Sequence, residues 1–106
     1  MSGGTKHDSG KAPLSLIPRV ALEAEAQVMG FGAKKYGRHN YKQGFEYSRL
    51  LDAALRHIHA FNDGEDNDPE SGISHLAHAR CCLSMLLECI NIGTATDDRF
   101  KKDSTA

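Results

Sequence analysis

At 106 residues, 40% hydrophobic and 25% charged, the chain has the length of one small domain whose core is marginal, and self-association is the expected remedy. Lys and Arg number 13 against 14 Asp and Glu, a net charge of −1 with histidine neutral. The broad positive field that holds duplex DNA is therefore missing, and duplex DNA is not an expected partner. No apolar run approaches the roughly 20 residues of a membrane span, and the start Met1-Ser2-Gly3-Gly4-Thr5-Lys6 lacks the apolar centre of a secretion signal. A cytoplasmic protein without membrane contact is expected.

In chain order, residues 1–17 read as a flexible N-terminal arm, rich in Gly, Ser and Lys, whose apolar end at Leu14, Leu16 and Ile17 packs down. Pro18 suits a helix start, where its missing N–H would have no partner. Val20, Leu22, Ala24, Ala26, Val28, Met29 and Phe31 then predict a first helix from Arg19 to about Lys35, ending near Tyr36-Gly37. The run from Gly37 to Gly44 is polar and aromatic between glycines, which predicts a loop able to touch a ligand. Ser48 is placed to cap a second helix over about 48–62, with Leu50, Leu51, Ala54, Leu55, Ile58 and Phe61 at helical spacing. Asp68-Pro69-Glu70 offers a capping carboxylate, a first-turn proline and a favourable negative charge, so a third helix is predicted from there to about Ile92. Two stripes run along it. One holds Ile73, Leu76, Arg80, Leu83, Leu87 and Ile90; the other holds His75, His78, Cys82, Met85 and Cys89. A helix apolar on more than one face belongs in the middle of a bundle, between subunits included. The expected architecture is an all-α small helical bundle with a central helical hairpin, oligomeric, its helical domain at 18–93 and a polar, frayed C-terminal tail at 94–106. Cys81, Cys82 and Cys89 share one helix, where no unstrained disulfide framework forms, and read as small buried apolar residues.

The chemistry lies in histidines and carboxylates. Three of the six histidines, His57, His75 and His78, fall on the second and third helices, and the acidic turn Gly64-Glu65-Asp66-Asn67-Asp68 joins them. His75 and His78 stand one turn apart on one face. In an antiparallel hairpin His57 lies about two turns before one helix ends and His75 about two turns after the next begins, so the three imidazoles converge. Imidazoles with carboxylates hold metals and polarise water, which makes His57, Glu65, Asp68, His75 and His78 candidate metal ligands, and His57, Glu65, His75 and His78 candidate catalytic groups. The competing reading is a packed, hydrogen-bonded core trio, with Glu65 and Asp68 as ordinary capping residues. A second set is basic and aromatic. Lys6, Lys11, Lys34, Lys35 and Arg38 can meet phosphate, with Tyr36, Asn40 and Tyr41 beside them for a base. Against it stands a solvated helix end, where lysines meet the helix dipole favourably. Arg56 lies four residues beyond Asp52, which favours an ion pair within the helix, with an anion contact as the alternative.

One ordered set of residues resembles a known family: Lys6-x-Asp8-x-Gly10-Lys11, Leu16-Ile17-Pro18, Phe31-Gly32-Ala33-Lys34-Lys35-Tyr36-Gly37, Asn40-Tyr41, Gly44, Arg49-Leu50-Leu51-Asp52, Arg56-His57, Gly64-Glu65-x-x-Asp68-x-Glu70-Ser71-Gly72 and His75-Leu76-Ala77-His78-Ala79. It is similar to the N-terminal domain of bacteriophage-type dATP/dGTP diphosphohydrolases, over about residues 6–92, and more distantly to MazG-like all-α nucleotide pyrophosphohydrolases. The resemblance implies an enzyme of phage nucleotide metabolism, in the cytoplasm of an infected bacterium, that cleaves purine deoxynucleoside triphosphates to monophosphate and pyrophosphate. It also implies a homo-oligomer and a divalent metal ion, manganese or magnesium. The nucleotide-binding residues expected on this reading are Lys6, Asp8, Lys11, Lys34, Lys35, Tyr36, Asn40 and Arg56. The alternative is a non-catalytic protein that sequesters a nucleotide, or a cyclic nucleotide that signals host defence.

Overall fold

The computed structural model describes residues 9–102. Among them lie three α-helices, α1 (Arg19–Tyr36), α2 (Tyr47–Asn62) and α3 (His75–Asn91), two short 3-10 turns at Leu14–Leu16 and Asn40–Gln43, and no strand. The chain is all-α. The third helix is the hub, packing against α2, against α1 and against the turn at Asn40–Gln43.

Its sequence explains that position. The stripe of His75, Cys82 and Cys89 is buried, with His78 and Met85 partly so, while Leu76, Leu83, Leu87 and Ile90 of the other stripe are exposed. Small residues let neighbours approach closely: Ala77, Ala79 and Cys81 are buried, and Val28 of α1 meets Ala77 and Cys81, with Ala24, Met29, Ile73 and Met85 around them. Arg80 Nε lies 3.2 Å from Glu25 Oε1, an ion pair from α3 to α1. The turn at Asn40–Gln43 is anchored from α3 as well: the Cys89 thiol donates to the Tyr41 carbonyl at 3.3 Å, and Lys42 pairs with Glu88 at 3.7 Å.

Four expectations are corrected. The third helix begins at His75 instead of Asp68, with Ser74 as its cap, accepting from the Leu76 N–H at 3.1 Å; such a cap is worth about 1 kcal/mol. Asp68-Pro69-Glu70-Ser71 does form a single turn, closed by the Gly72 N–H on the Asp68 carbonyl at 2.7 Å. Gly72 then takes φ +73°, a left-handed value that ends the turn before a helix can grow from it. Ser48 does not cap α2 but lies inside it, and its N–H and hydroxyl both reach the Asp98 carboxylate, fifty residues away. The segment expected to fray is therefore tied down: Tyr47 N–H donates to the Thr96 carbonyl at 2.9 Å and Thr96 N–H to the Phe45 carbonyl at 3.0 Å. Gly44 makes this docking possible. Its φ is +111°, and a Cβ there would overlap the Thr94 carbonyl. Finally, Leu14, Leu16 and Ile17 do not pack down; all three are exposed, as is Val20.

The fold buries little. The radius of gyration is 17.3 Å, against about 13 Å for a compact chain of this length. No helix among the described residues is long and apolar enough to cross a membrane.

Candidate functional site

The segment between α2 and α3 is built to hold side chains still. Glu65 N–H bonds the Ala60 carbonyl at 3.0 Å, Asp68 N–H the Ile73 carbonyl at 2.9 Å, and His75 N–H the Asp66 carbonyl at 2.9 Å. The Asp68 carboxylate accepts the Ser71 N–H at 3.0 Å, and the Ser71 hydroxyl accepts the Ile73 N–H at 3.1 Å. A loop whose backbone groups are paired in this way fixes Glu65, Asp68 and Ser71 against the first turn of α3.

Onto this frame α2 delivers His57 and α3 delivers His75 and His78. His57 Nδ1 and His75 Nδ1 are 2.8 Å apart, and the His75 Nε2 lies 2.6 Å from Glu65 Oε1. The carboxylate accepts the Nε2 proton of His75, which leaves His75 Nδ1 with its lone pair toward His57. His78 lies over His57, ring centroids 4.5 Å apart and planes 13° from parallel. Its Nε2 is 2.7 Å from Ser71 Oγ and 3.9 Å from Asp68 Oδ2. Serine and aspartate thus meet the same nitrogen, which is not the arrangement of a Ser-His-Asp nucleophile, where they meet opposite nitrogens.

The electrostatics follow from the packing. Burial, and then the fields of His78 and His75, push the His57 pKa below its usual value. Burial also lowers that of His78, against the opposing pull of Asp68. Both are neutral imidazoles at pH 7. Burial alone would raise Asp68, but the Ser71 hydrogen bonds and the nearby His78 and His57 outweigh it, and the carboxyl sits below its ordinary range. One ligand atom each from His57, Asp68 and His75 lie within 4.8 Å of one another.

Beside this cluster opens a cleft of about 920 Å³ between the end of α1, the 37–45 segment and α3. Phe31, Tyr36, Tyr41 and Phe45 supply aromatic surface, Lys34, Lys35, Arg38 and Lys42 supply positive charge, and His78 and Cys81 belong to its α3 side. Lys35 spans the two regions: its ammonium lies 2.8 Å from Glu70 in the turn that carries Asp68 and Ser71, and over the Phe31 and Tyr36 rings at 5.4 and 5.3 Å. Cys81 brings no reactivity here, since burial pushes its thiol up to about 12.

Of the expected nucleotide residues, Lys34, Lys35, Tyr36 and Asn40 line the cleft. Lys11 is exposed on the segment before α1, and Arg56 is exposed on α2, neither of them in the cleft. Lys6 and Asp8 lie outside the described residues. Arg56 forms no ion pair with Asp52, so that expectation fails. Glu65 turns its carboxylate to His75 instead of the helix start. Ser71 and Phe45 stand outside the expected set, while Lys42 falls in the loop expected to touch a ligand. Ser71 carried a signal, for Asp-x-x-Ser before a glycine is a local side-chain-to-backbone turn that points its hydroxyl inward.

The family model described as dATP/dGTP diphosphohydrolase, N-terminal, matches residues 1–99. The chain belongs to that family. A dATP/dGTP diphosphohydrolase of Salmonella phage PMBT28 is 44% identical over 96 residues, which cover 91% of this chain and 33% of the relative. The chain thus spans about a third of that relative's length. No solved structure matches.

Proposed function

We propose that this domain binds purine deoxynucleoside triphosphates, dGTP or dATP, and hydrolyses them to the monophosphate and pyrophosphate with the help of a divalent ion, manganese or magnesium. The observation that carries the reading is the meeting of the two regions at His78: an aromatic, cationic cleft large enough for a nucleotide opens onto a ring stacked on His57. The name of the phage relative supports the substrate class.

The roles follow from the geometry. Tyr36 and its aromatic neighbours offer faces for a purine, Asn40 a hydrogen-bonding edge, and Lys34 and Lys35 positive charge for phosphate oxygens. Lys35 exchanges its Glu70 partner for phosphate when the nucleotide enters. Glu65 fixes the tautomer and orientation of His75, while Ser71 holds the His78 ring at the edge of the cleft. In the reaction a water oxygen bonds the α-phosphorus, the bond to the β-bridging oxygen breaks, and pyrophosphate leaves with that electron pair. His78, neutral at pH 7, is able to take the proton the water gives up. A bound divalent ion supplies neutralisation of the triphosphate charge and a lower pKa for the attacking water. Homo-oligomerisation in the host cytoplasm belongs to the same reading, with α2 and α3 as a central hairpin: Leu55 and Ile58 of α2 and Leu76, Leu83 and Leu87 of α3 remain exposed in the single chain.

A second reading, sequestration without cleavage, is favoured by one fact: the chain corresponds to only a third of the phage relative, which leaves room for chemistry elsewhere in the longer protein. Incubating the purified protein with dGTP, dATP, other ribo- and deoxynucleotides and cyclic dinucleotides, with manganese, magnesium or chelator, separates the two. Metal-dependent release of dGMP or dAMP with pyrophosphate is the expected result. A nucleotide that leaves free solution and returns intact after denaturation of the protein would replace hydrolysis with sequestration.

A further inference from the structure

The two Nδ1 atoms of His57 and His75, 2.8 Å apart, have two chemical solutions. One is a shared proton, with His57 donating to His75. The other is a metal ion on both lone pairs. Two nitrogens on one ion with bonds of about 2.1 Å stand roughly 3.0–3.4 Å apart, so the observed spacing needs only a few tenths of an ångström of opening. Asp68 supplies an oxygen to the same cluster, where one ligand atom each from His57, Asp68 and His75 lie within 4.8 Å of one another.

The remaining groups of the cluster are arranged behind these three. Glu65 meets His75 at Nε2, the edge of the ring opposite Nδ1. It is therefore turned away from the shared space and holds the ring, as carboxylates behind metal-bound imidazoles do. His78 is stacked flat on His57 and commits Nε2 to Ser71, so it too lies outside the ligand set and on the side of the cleft. Ser71 N–H holds the Asp68 carboxylate at 3.0 Å. The three ligands come from three different parts of the chain, α2, the linking turn and α3, each fixed by a separate partner.

We propose that His57 Nδ1, His75 Nδ1 and an Asp68 carboxylate oxygen bind one divalent first-row transition ion, with Glu65 as the positioning carboxylate of His75 and His78 left free of the ion for the nucleotide side. Two imidazoles and one carboxylate suit manganese, iron, cobalt, nickel or zinc over magnesium, which demands oxygen ligands. The purpose of the ion rests on the hydrolytic reading above; its presence does not.

The test is direct metal binding to the whole chain, stripped with chelator and titrated with cobalt(II), followed by visible absorption and calorimetry without any nucleotide. One ion per chain with a cobalt absorption band is expected, undiminished by excess magnesium. Glu65→Gln should weaken binding about 10–100-fold while keeping the band, His78→Asn should bind as the native protein does, and His57→Ala should bind no cobalt. Circular dichroism identifies any variant that fails to fold, and Asp68→Asn, at a less buried position, then serves in place of His57→Ala. Absence of cobalt binding by the native protein, equal displacement by magnesium, or full binding by a folded His57→Ala or Asp68→Asn protein would overturn the site. Cobalt binding by the native protein without nucleotide cleavage would uphold the site and discard the hydrolase, whereas magnesium-supported cleavage by His57→Ala would do the reverse.

Discussion

The histidine cluster and the cleft beside it are neighbours built on opposite plans. In the cluster nearly every polar group already has a partner in the chain: His75 meets both His57 and Glu65, His78 meets Ser71, and Asp68 meets the Ser71 N–H. In the cleft, among the described residues, Lys35 and Lys42 have carboxylate partners and Lys34 and Arg38 have none. A prepaired cluster holds a small ion or a proton with little rearrangement, whereas an open, charged and aromatic wall suits a larger ligand that brings its own charge. On the proposed function this difference divides the work between the two regions: position on one side, recognition on the other.

The largest way to break that division is at Gly44, next in the chain to the cleft residue Phe45. Gly44→Ala forces a side chain into the Thr94 carbonyl at a left-handed φ, which should lower unfolding stability by roughly 2–4 kcal/mol, read by denaturant titration. Because the cluster is held from α2, α3 and their linking turn, whatever folded protein remains should still bind cobalt; loss of both functions together would show that the regions are one unit.

A smaller change sharpens the contrast. Replacing Lys34 and Lys35 together with alanine should weaken dGTP binding about tenfold, since two charge-assisted contacts are removed, and leave cobalt affinity as it was. Equal nucleotide affinity in the double variant would take these lysines out of the recognition wall.

The smallest effect is expected at Asp98, whose bonds to Ser48 hold the start of α2 and whose chain neighbours support the Phe45 side of the cleft. The Ser48 hydroxyl and N–H keep its carboxyl below the ordinary 3.8. A depressed folded value means that its contribution is complete above the unfolded pKa and is lost as pH falls through the folded one. The melting temperature of Asp98→Ala should therefore lie below that of the native protein at neutral pH, and the gap should close under acid conditions. A gap independent of pH would assign the effect to packing.

Much of this was legible in the residues themselves. The periodic runs before Tyr36, across 48–62 and through Ile90 specify three amphipathic segments, because helical spacing of apolar side chains is a local property. The matched levels of His57 and His75 follow from the same spacing. Asp68-Pro69-Glu70 was legible too, but misleading: it forms the first turn of a helix that Gly72 then stops, and the true cap, Ser74, carries a weaker signal. The role of Ser48 was hidden because its partner, Asp98, is fifty residues away.

The sequence by itself therefore determined the number of helices, the family and the residues proposed to serve a nucleotide and an ion, all of which depend on short-range spacing or on an ordered set of motifs. Only the tertiary structure decided which of them work together. It joined Glu65 to His75 and Ser71 to His78, moved Arg56 and Lys11 away from the cleft, and brought the 94–98 segment under Gly44. The first two join residues only ten and seven positions apart but depend on the path of the linking turn, and the others depend on segments far apart in the chain, which the packing of α1, α2 and the 37–45 loop on α3 sets.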